Sequence, residues 1–126
     1  MERIEVLFES DDCLVLNKPA GLAVQGGKGV EVSLDRILGE EFSPRPFLVH
    51  RLDKDTSGLI LVAKNREAAI RFSALFAGHG KGPNRGVVKG YLAVCAGHPR
   101  PEQGLIRLDL SVRGDMKRSR TAYRFL

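Results

Sequence analysis

The first apolar positions of the chain form two short runs, residues 4–9 and 13–17, with the polar residues 10–12 between them. Short apolar runs on either side of a polar turn predict a β-hairpin. Lys18 and Pro19 end the second run, because proline has no amide hydrogen to donate to a strand ladder. Residues 59–63 are an uninterrupted apolar run, which predicts a buried strand.

Two segments have the spacing of helices. Ser33 can cap a short helix whose inward face is formed by Leu34, Ile37 and Leu38. Asn65 can cap a second helix, in which apolar residues recur at helical spacing. These apolar residues are Ala68, Ala69, Phe72, Leu75 and Phe76.

Strand patterns return in the last third of the chain. Residues 87–96 predict one strand. Residues 106–112 alternate apolar with polar side chains and predict a strand with one solvent-facing side. Residues 121–125 predict a last strand, within which the chain stops. Together these elements predict a single α+β domain over residues 1–126, with a mixed, mainly antiparallel sheet and two flanking helices.

Composition narrows the possible partners. No apolar run approaches the roughly 20 residues of a membrane-spanning helix, so we expect no membrane partner. The first residues lack the layout of a secretory signal, and both cysteines lie in apolar stretches, so we expect a cytoplasmic protein with buried thiols. The net charge is +5. Basic residues cluster in residues 78–90 and 113–124, which favours a nucleic-acid partner.

Residues 50–58 interrupt the apolar pattern with charges of both signs, directly before the predicted strand. Charged groups on a loop anchored by a rigid strand are typical of reactive sites. Asp53 is the best candidate for a reactive carboxylate, because Arg51 within ion-pair reach would keep it ionised as a nucleophile or general base. In an extended segment Asp55 would face the same way as Asp53, as in a carboxylate-pair glycosidase. We favour a turn-bracing role for Asp55.

Two other kinds of site are disfavoured. The three histidines are far apart, and the Cys95-x-x-His98 pair has no second pair to complete a tetrahedral metal site. Ser57 precedes a strand, whereas a serine hydrolase presents its nucleophile on a turn from strand to helix. We therefore expect His50 to hold the loop through a hydrogen bond, and we expect no metal.

The segment His50-Arg51-Leu52-Asp53-Lys54-Asp55-Thr56-Ser57-Gly58 closely resembles the signature of the RluA-type pseudouridine synthases. Residues 17–21, 59–65 and 89–93 resemble three further motifs of that family, in the same order. The resemblance extends from about residue 6 to residue 123. It implies the pseudouridine synthase fold and the isomerisation of uridine to pseudouridine in RNA, without cofactor or metal.

The resemblance also implies roles for individual residues. Asp53 corresponds to the catalytic carboxylate, which attacks the sugar, stabilises it or removes its 2′ proton. Tyr91 corresponds to the active-site tyrosine, and Arg51 pairs with Asp53 and then fills the space left when the uridine flips out. The loop is supported by His50, Asp55, Thr56, Ser57 and Gly58. We expect RNA contacts from the basic side chains of Lys18, Lys54, Lys81, Arg85, Lys89, Lys117 and Arg118.

Two departures from the family pattern matter. The glycine-rich residues 78–86 form a longer stretch than expected, and a later His-Gln-Ile/Leu-Arg motif of the family is missing. We therefore expect the N-terminal part of a catalytic domain, without an S4 domain and with weak or no turnover. We also expect self-association through an unfinished sheet edge. Residues 22–27 resemble family members that act on large-subunit ribosomal RNA, and this resemblance favours ribosomal over transfer RNA. A truncated inactive RNA-binding relative is the alternative.

Overall fold

A computed structural model describes residues 3–80, 86–112 and 114–126 of the chain. The chain divides into two compact units, one that reaches to Lys89 and one that begins at Gly90. Both helices and the first four strands belong to the first unit, and two long strands belong to the second. The single domain inferred from the sequence stays a prediction.

The first unit is built on a four-stranded antiparallel sheet. Its strands are β1 (Glu5–Glu9), β2 (Cys13–Lys18), β3 (Phe47–Leu48) and β4 (Gly58–Ala63), in the spatial order β1-β2-β4-β3. The predicted hairpin and the predicted buried strand are therefore confirmed. The pairing of β2 with β4 places Lys18 opposite Gly58, at the end of β4 where the charged loop enters the sheet.

The core of this unit lies between the sheet and the first helix, α1 (Leu34–Glu41). Alternate residues of a strand point to the same face, and Leu14 and Leu16 of β2 accordingly face Ile60 and Val62 of β4 within the core. The sheet face is covered by the buried side chains of α1, which are Leu34, Ile37 and Leu38. The inward face predicted for this helix is confirmed.

Both predicted helix caps are also confirmed. The Ser33 hydroxyl accepts a hydrogen bond from the Arg36 amide at 3.4 Å. The Asn65 side-chain oxygen accepts one from the Ala68 amide at 2.8 Å, at the start of α2 (Arg66–Phe76). Such caps satisfy backbone donors that have no partner inside the helix. Within α2, Ala68 is buried and the other predicted apolar positions are partly buried.

The second unit is a two-stranded antiparallel sheet formed by β5 (Gln103–Val112) and β6 (Asp115–Arg124). It confirms the alternating strand predicted around residues 106–112. The last strand is longer than predicted and ends at Arg124, where it pairs with Gln103. The α+β class is confirmed, although the strands divide between two sheets.

The strand predicted over residues 87–96 is wrong. In the described part of that segment no residue belongs to a strand. Val88, Leu92 and Val94 have the residue types of a strand but are strongly exposed. A β-ladder needs a pairing partner as well as propensity, and none pairs with this segment among the described residues. Cys95 is exposed, so the prediction of two buried thiols holds for Cys13 alone.

Candidate active-site loop

The charged segment forms the connection between β3, which ends at Leu48, and β4, which begins at Gly58. A tight turn lies at its centre, where the Thr56 amide donates to the Asp53 carbonyl at 3.2 Å. Gly58 has a φ of 122°, a conformation that side chains with a Cβ rarely adopt. The loop therefore enters β4 through a backbone geometry that favours glycine.

Asp53 and Arg51 are both exposed on this loop. Among the ion pairs of the described residues, none joins Arg51 to Asp53. The predicted pairing of these two side chains is therefore not present in the structure. A pair of water-exposed charges gains little from contact, and each side chain loses conformational freedom to form it. Asp53 is thus left facing solvent.

Asp55 occupies a turn position rather than an extended one, because the turn that closes at Thr56 includes it. The premise that Asp53 and Asp55 face the same way along an extended strand is therefore wrong, which removes the geometric basis of the glycosidase alternative. Among the described side-chain hydrogen bonds, none involves Asp55, so the turn is closed by backbone groups.

The side chain of Lys18 fixes the backbone of this loop through hydrogen bonds. Its side chain is fully buried, with 0% of its surface exposed. Its ammonium donates to three backbone carbonyls: Pro19 at 3.0 Å, Leu22 at 2.8 Å and Lys54 at 2.9 Å. The Lys54 carbonyl also accepts from the Gly21 amide at 2.9 Å. We call these four hydrogen bonds the Lys18 clamp. They join residues 18–22 to the turn that carries Asp53.

The burial of Lys18 does not fit the prediction that it contacts RNA, because all three of its ammonium donors are used inside the protein. The alternation of side chains along β2 could have predicted that Lys18 is buried. Lys18 is two residues beyond Leu16 and four beyond Leu14, and so shares their core-facing side of β2.

The electrostatics of the clamp involve the loop carboxylates. Burial lowers the pKa of Lys18, since removal from water penalises the charged ammonium. The negative charges of Asp55 and Asp53 oppose this lowering of the pKa. The two carboxylates therefore favour the charged form of the lysine that holds their loop.

His50 ties the beginning of the loop to β4. Its Nε2 atom accepts a hydrogen bond from the Leu61 amide at 3.0 Å, so this nitrogen carries no proton. Its ring stacks on Phe76 of α2, with a centroid separation of 3.9 Å. Burial lowers the pKa of His50, and the positive charge of Lys89 lowers it further. Both effects favour the neutral ring that the hydrogen bond requires.

The remaining predicted site residues lie in different parts of the chain. Lys54 is exposed on the loop, and the Lys89 ammonium lies 5.8 Å from the centroid of the Phe76 ring. Lys81 and Arg85 lie outside the described residues. Tyr91, Lys117 and Arg118 belong to the second unit and are exposed there.

No described helix is both long and apolar enough to cross a bilayer. Within residues 3–80, 86–112 and 114–126, no group of three or more histidine, cysteine, aspartate or glutamate side chains is placed to hold a metal ion.

The sequence of the chain matches a family model and several curated relatives. Residues 12–126 match the family model described as RNA pseudouridylate synthase. Ribosomal large subunit pseudouridine synthase C of Rickettsia bellii is 39% identical over an alignment of 111 residues, and the match covers 83% of this chain and 34% of that protein. An uncharacterized RNA pseudouridine synthase of Haemophilus influenzae is 38% identical over 118 residues, which are 93% of this chain and 47% of that protein.

A solved structure agrees with these matches. Human RNA Pseudouridylate Synthase Domain Containing 1 superposes with a TM-score of 0.72 at 26% identity, over 96% of this chain and 51% of that one. The chain thus spans between a third and about half of the length of these three relatives. The family match covers the charged loop and both units, and on this ground the chain belongs to the RNA pseudouridylate synthases of the RluA type.

Proposed function

We propose that this chain carries the catalytic loop of an enzyme that isomerises uridine to pseudouridine in RNA, with Asp53 as the catalytic carboxylate. The observation that carries the proposal is the presentation of Asp53. It is exposed on a tight turn whose backbone is held by the buried ammonium of Lys18. A reactive group is most effective when its supporting backbone is fixed by packing and hydrogen bonds.

The chemistry needs a carboxylate at this place. When the bond between uracil and ribose breaks, the base leaves as an anion and the sugar carbon becomes electron-poor. An ionised Asp53 then attacks that carbon, stabilises its positive charge or removes the 2′ proton. The rotated base forms a new bond to the carbon through C5, which displaces Asp53 or follows return of the 2′ proton. C5 then loses its proton and N1 gains one. The exposure of Asp53 supports access by an extruded nucleotide, since a base inside a helix cannot reach such a group.

Arg51 and Tyr91 take supporting parts in this proposal. Among the described ion pairs Arg51 has no carboxylate partner, and its exposed guanidinium is available to occupy the space of the flipped uridine. Tyr91 has 63% of its surface exposed, which leaves its ring accessible for stacking on a base. Lys54 and Lys89 are the exposed cations of the first unit that we propose as phosphate contacts.

Ribosomal RNA is the substrate that we propose. The names of several relatives support it, including the Rickettsia bellii protein. Because the chain spans only part of these relatives, we further propose that residues beyond it complete the pocket. The chain by itself is then expected to turn over weakly or not at all.

The test is uridine conversion in bulk ribosomal and transfer RNA, measured by chromatography of the digested nucleosides. We would compare the chain, a longer version that includes its natural downstream segment where one exists, and the same proteins with Asp53→Asn or Asp55→Asn. Asp53→Asn is expected to reduce conversion by at least about 100-fold, the contribution typical of a positioned catalytic group. Asp55→Asn is the matched control, with the same charge change in the same turn.

Full activity of Asp53→Asn, or equal losses in both variants, would contradict the assignment. RNA binding without conversion in every version would instead favour the inactive RNA-binding relative. A specific observation keeps that alternative open. Arginines are concentrated on one face of the second unit, where they could hold RNA phosphates without any catalytic group.

A further inference from the structure

The strands β5 and β6 separate their side chains into two unlike faces. The register pairs Arg107 with Arg120, Asp109 with Arg118, and Gln103 with Arg124. Directly paired residues of antiparallel strands point to the same side, and so do alternate residues of one strand. All four arginines of the two strands therefore share one face, which we call the arginine face; its members are Arg107, Arg118, Arg120 and Arg124.

The opposite face has a different character. It carries Ile106, Leu108 and Leu110 of β5, and Lys117 is its one lysine or arginine. Lys117 and Arg118 are neighbours in sequence, yet the strand geometry places them on opposite sides of the sheet. The two residues were predicted as RNA contacts, and the register places their side chains on different faces of the two-stranded sheet.

The arginine face is electrostatically unfavourable in the free protein. Arg107 and Arg120 are directly opposite each other, and like charges in such a pair repel. The single acidic residue of the face is Asp109, across from Arg118. Among the ion pairs formed by described residues, none includes any of the four arginines.

The arrangement also has a shape suited to an anion. Arg107, Arg118 and Arg120 line one shallow depression together with Asp109 and Ser119. Guanidinium groups bind phosphate through paired N–H donors in a fixed fork, and a phosphate between two such groups removes their mutual repulsion. The spacing of charge along one strand, at residues 118, 120 and 124, follows a line and so fits a chain of phosphates.

We propose that the arginine face is a phosphate-binding surface for RNA, in which Arg107 and Arg120 grip one backbone phosphate between them. The proposal rests on the proposed function only for the choice of RNA as the polyanion. Binding at this surface is expected to be independent of the RNA sequence, because phosphate contacts position the protein on the RNA but do not distinguish its bases.

The test is the salt dependence of RNA binding, measured by fluorescence anisotropy with a labelled ribosomal RNA stem-loop. We would compare the chain with Arg107→Gln/Arg120→Gln, with the charge-preserving Arg107→Lys/Arg120→Lys, and with Arg66→Gln/Arg100→Gln as the control, which removes two exposed arginines outside the arginine face. Each lost phosphate contact reduces the slope of log K against log salt by about one. Because Arg107 and Arg120 share one phosphate, the Arg107→Gln/Arg120→Gln variant is expected to lower the slope by about one, while both other variants retain it.

Circular dichroism and thermal unfolding accompany each variant, and the Arg107→Gln/Arg120→Gln variant is expected to melt no lower than the parent because a repulsive pair has been removed. An unchanged slope in a folded Arg107→Gln/Arg120→Gln variant overturns the inference, as does an equal loss with Arg66→Gln/Arg100→Gln. Failure of the proposed function is separate. If no version converts uridine but the slope changes as expected, the arginine face stands and the catalytic assignment falls.

Discussion

His50 shows at the scale of one residue how the loop depends on a protonation state. Its Nε2 must accept the hydrogen bond of the Leu61 amide, and protonation of that nitrogen abolishes the acceptor. The stacked contact with Phe76 and the nearby charge of Lys89 both belong to the folded state. A histidine of this kind is a structural support with a built-in sensitivity to acid.

We expect this sensitivity to appear in the pH dependence of stability. Because the folded pKa of His50 is lowered, the unfolded chain binds more protons between that pKa and the ordinary value of 6.5. The contribution of His50 is therefore fully present above about pH 6.5 and is lost as the pH falls through the window below it. Urea unfolding at a series of pH values would measure this loss.

His50→Gln is the matched variant for that experiment, since its amide oxygen can accept the same hydrogen bond without titrating. It is expected to have a flatter stability profile between about pH 5 and pH 7 than the parent. Parallel profiles for the two proteins would show that the fall in stability has another origin.

Lys18 acts between elements, because it joins the end of β2 to the loop before β4. Lys18→Met retains most of the side-chain volume but leaves the Pro19 and Leu22 carbonyls without the ammonium donor. Buried acceptors without partners cost about 1–3 kcal/mol each, whereas the loss of a buried charge offsets part of that cost. We expect a net decrease in unfolding free energy of about 1–3 kcal/mol, measured by denaturant titration.

Hydrogen exchange would localise the effect. The amides of Gly21 and Thr56 belong to the clamped segments and are expected to exchange faster in Lys18→Met. The amides of Leu34 and Asp35, which donate to Ala23 and Val24, provide the internal control and should change less. Uniform acceleration at all four amides would indicate global destabilisation rather than a loosened loop.

The elements differ in how far their sequences predict them. The two helices were predictable because Ser33 and Asn65 are caps that act within a few residues, and β4 because its apolar run is buried on pairing. The conformation of residues 87–96 was not predictable in this way. Their valines and leucines have strand propensity, but a strand forms only if distant residues pair with it. Side-chain roles were harder still. The positive charge of Lys18 suggests a contact with RNA. Only its position on the core-facing side of β2 indicates that the side chain is buried.

At the scale of the whole molecule, the buried apolar cluster is confined to one unit. Its members extend from Ile4 to Val62, all before Lys89. We therefore expect a fragment of residues 1–89 to unfold cooperatively, because it retains the whole of this cluster. Urea unfolding followed by circular dichroism would test this, and a gradual transition without a baseline would contradict it.

Self-association remains a prediction at this scale. It was based on an unfinished sheet edge. Among the described residues β6 pairs with β5 along one side only, so β6 is an edge strand of the two-stranded sheet. A different edge is available in the first unit, where β1 borders the sheet with Val6, Leu7 and Phe8 exposed. Such an edge can pair with another chain unless something covers it. Sedimentation at several protein concentrations would measure the association.

The Lys18 clamp also protects the side-chain amine of Lys18 from chemical modification. An acylating reagent needs a free, accessible amine, and this one is enclosed and fully hydrogen-bonded. Lys18 can react only in the brief intervals when the turn carrying Asp53 separates from residues 18–22. The rate at which Lys18 becomes labelled, compared with that of exposed Lys54, therefore measures how often the loop that carries Asp53 opens.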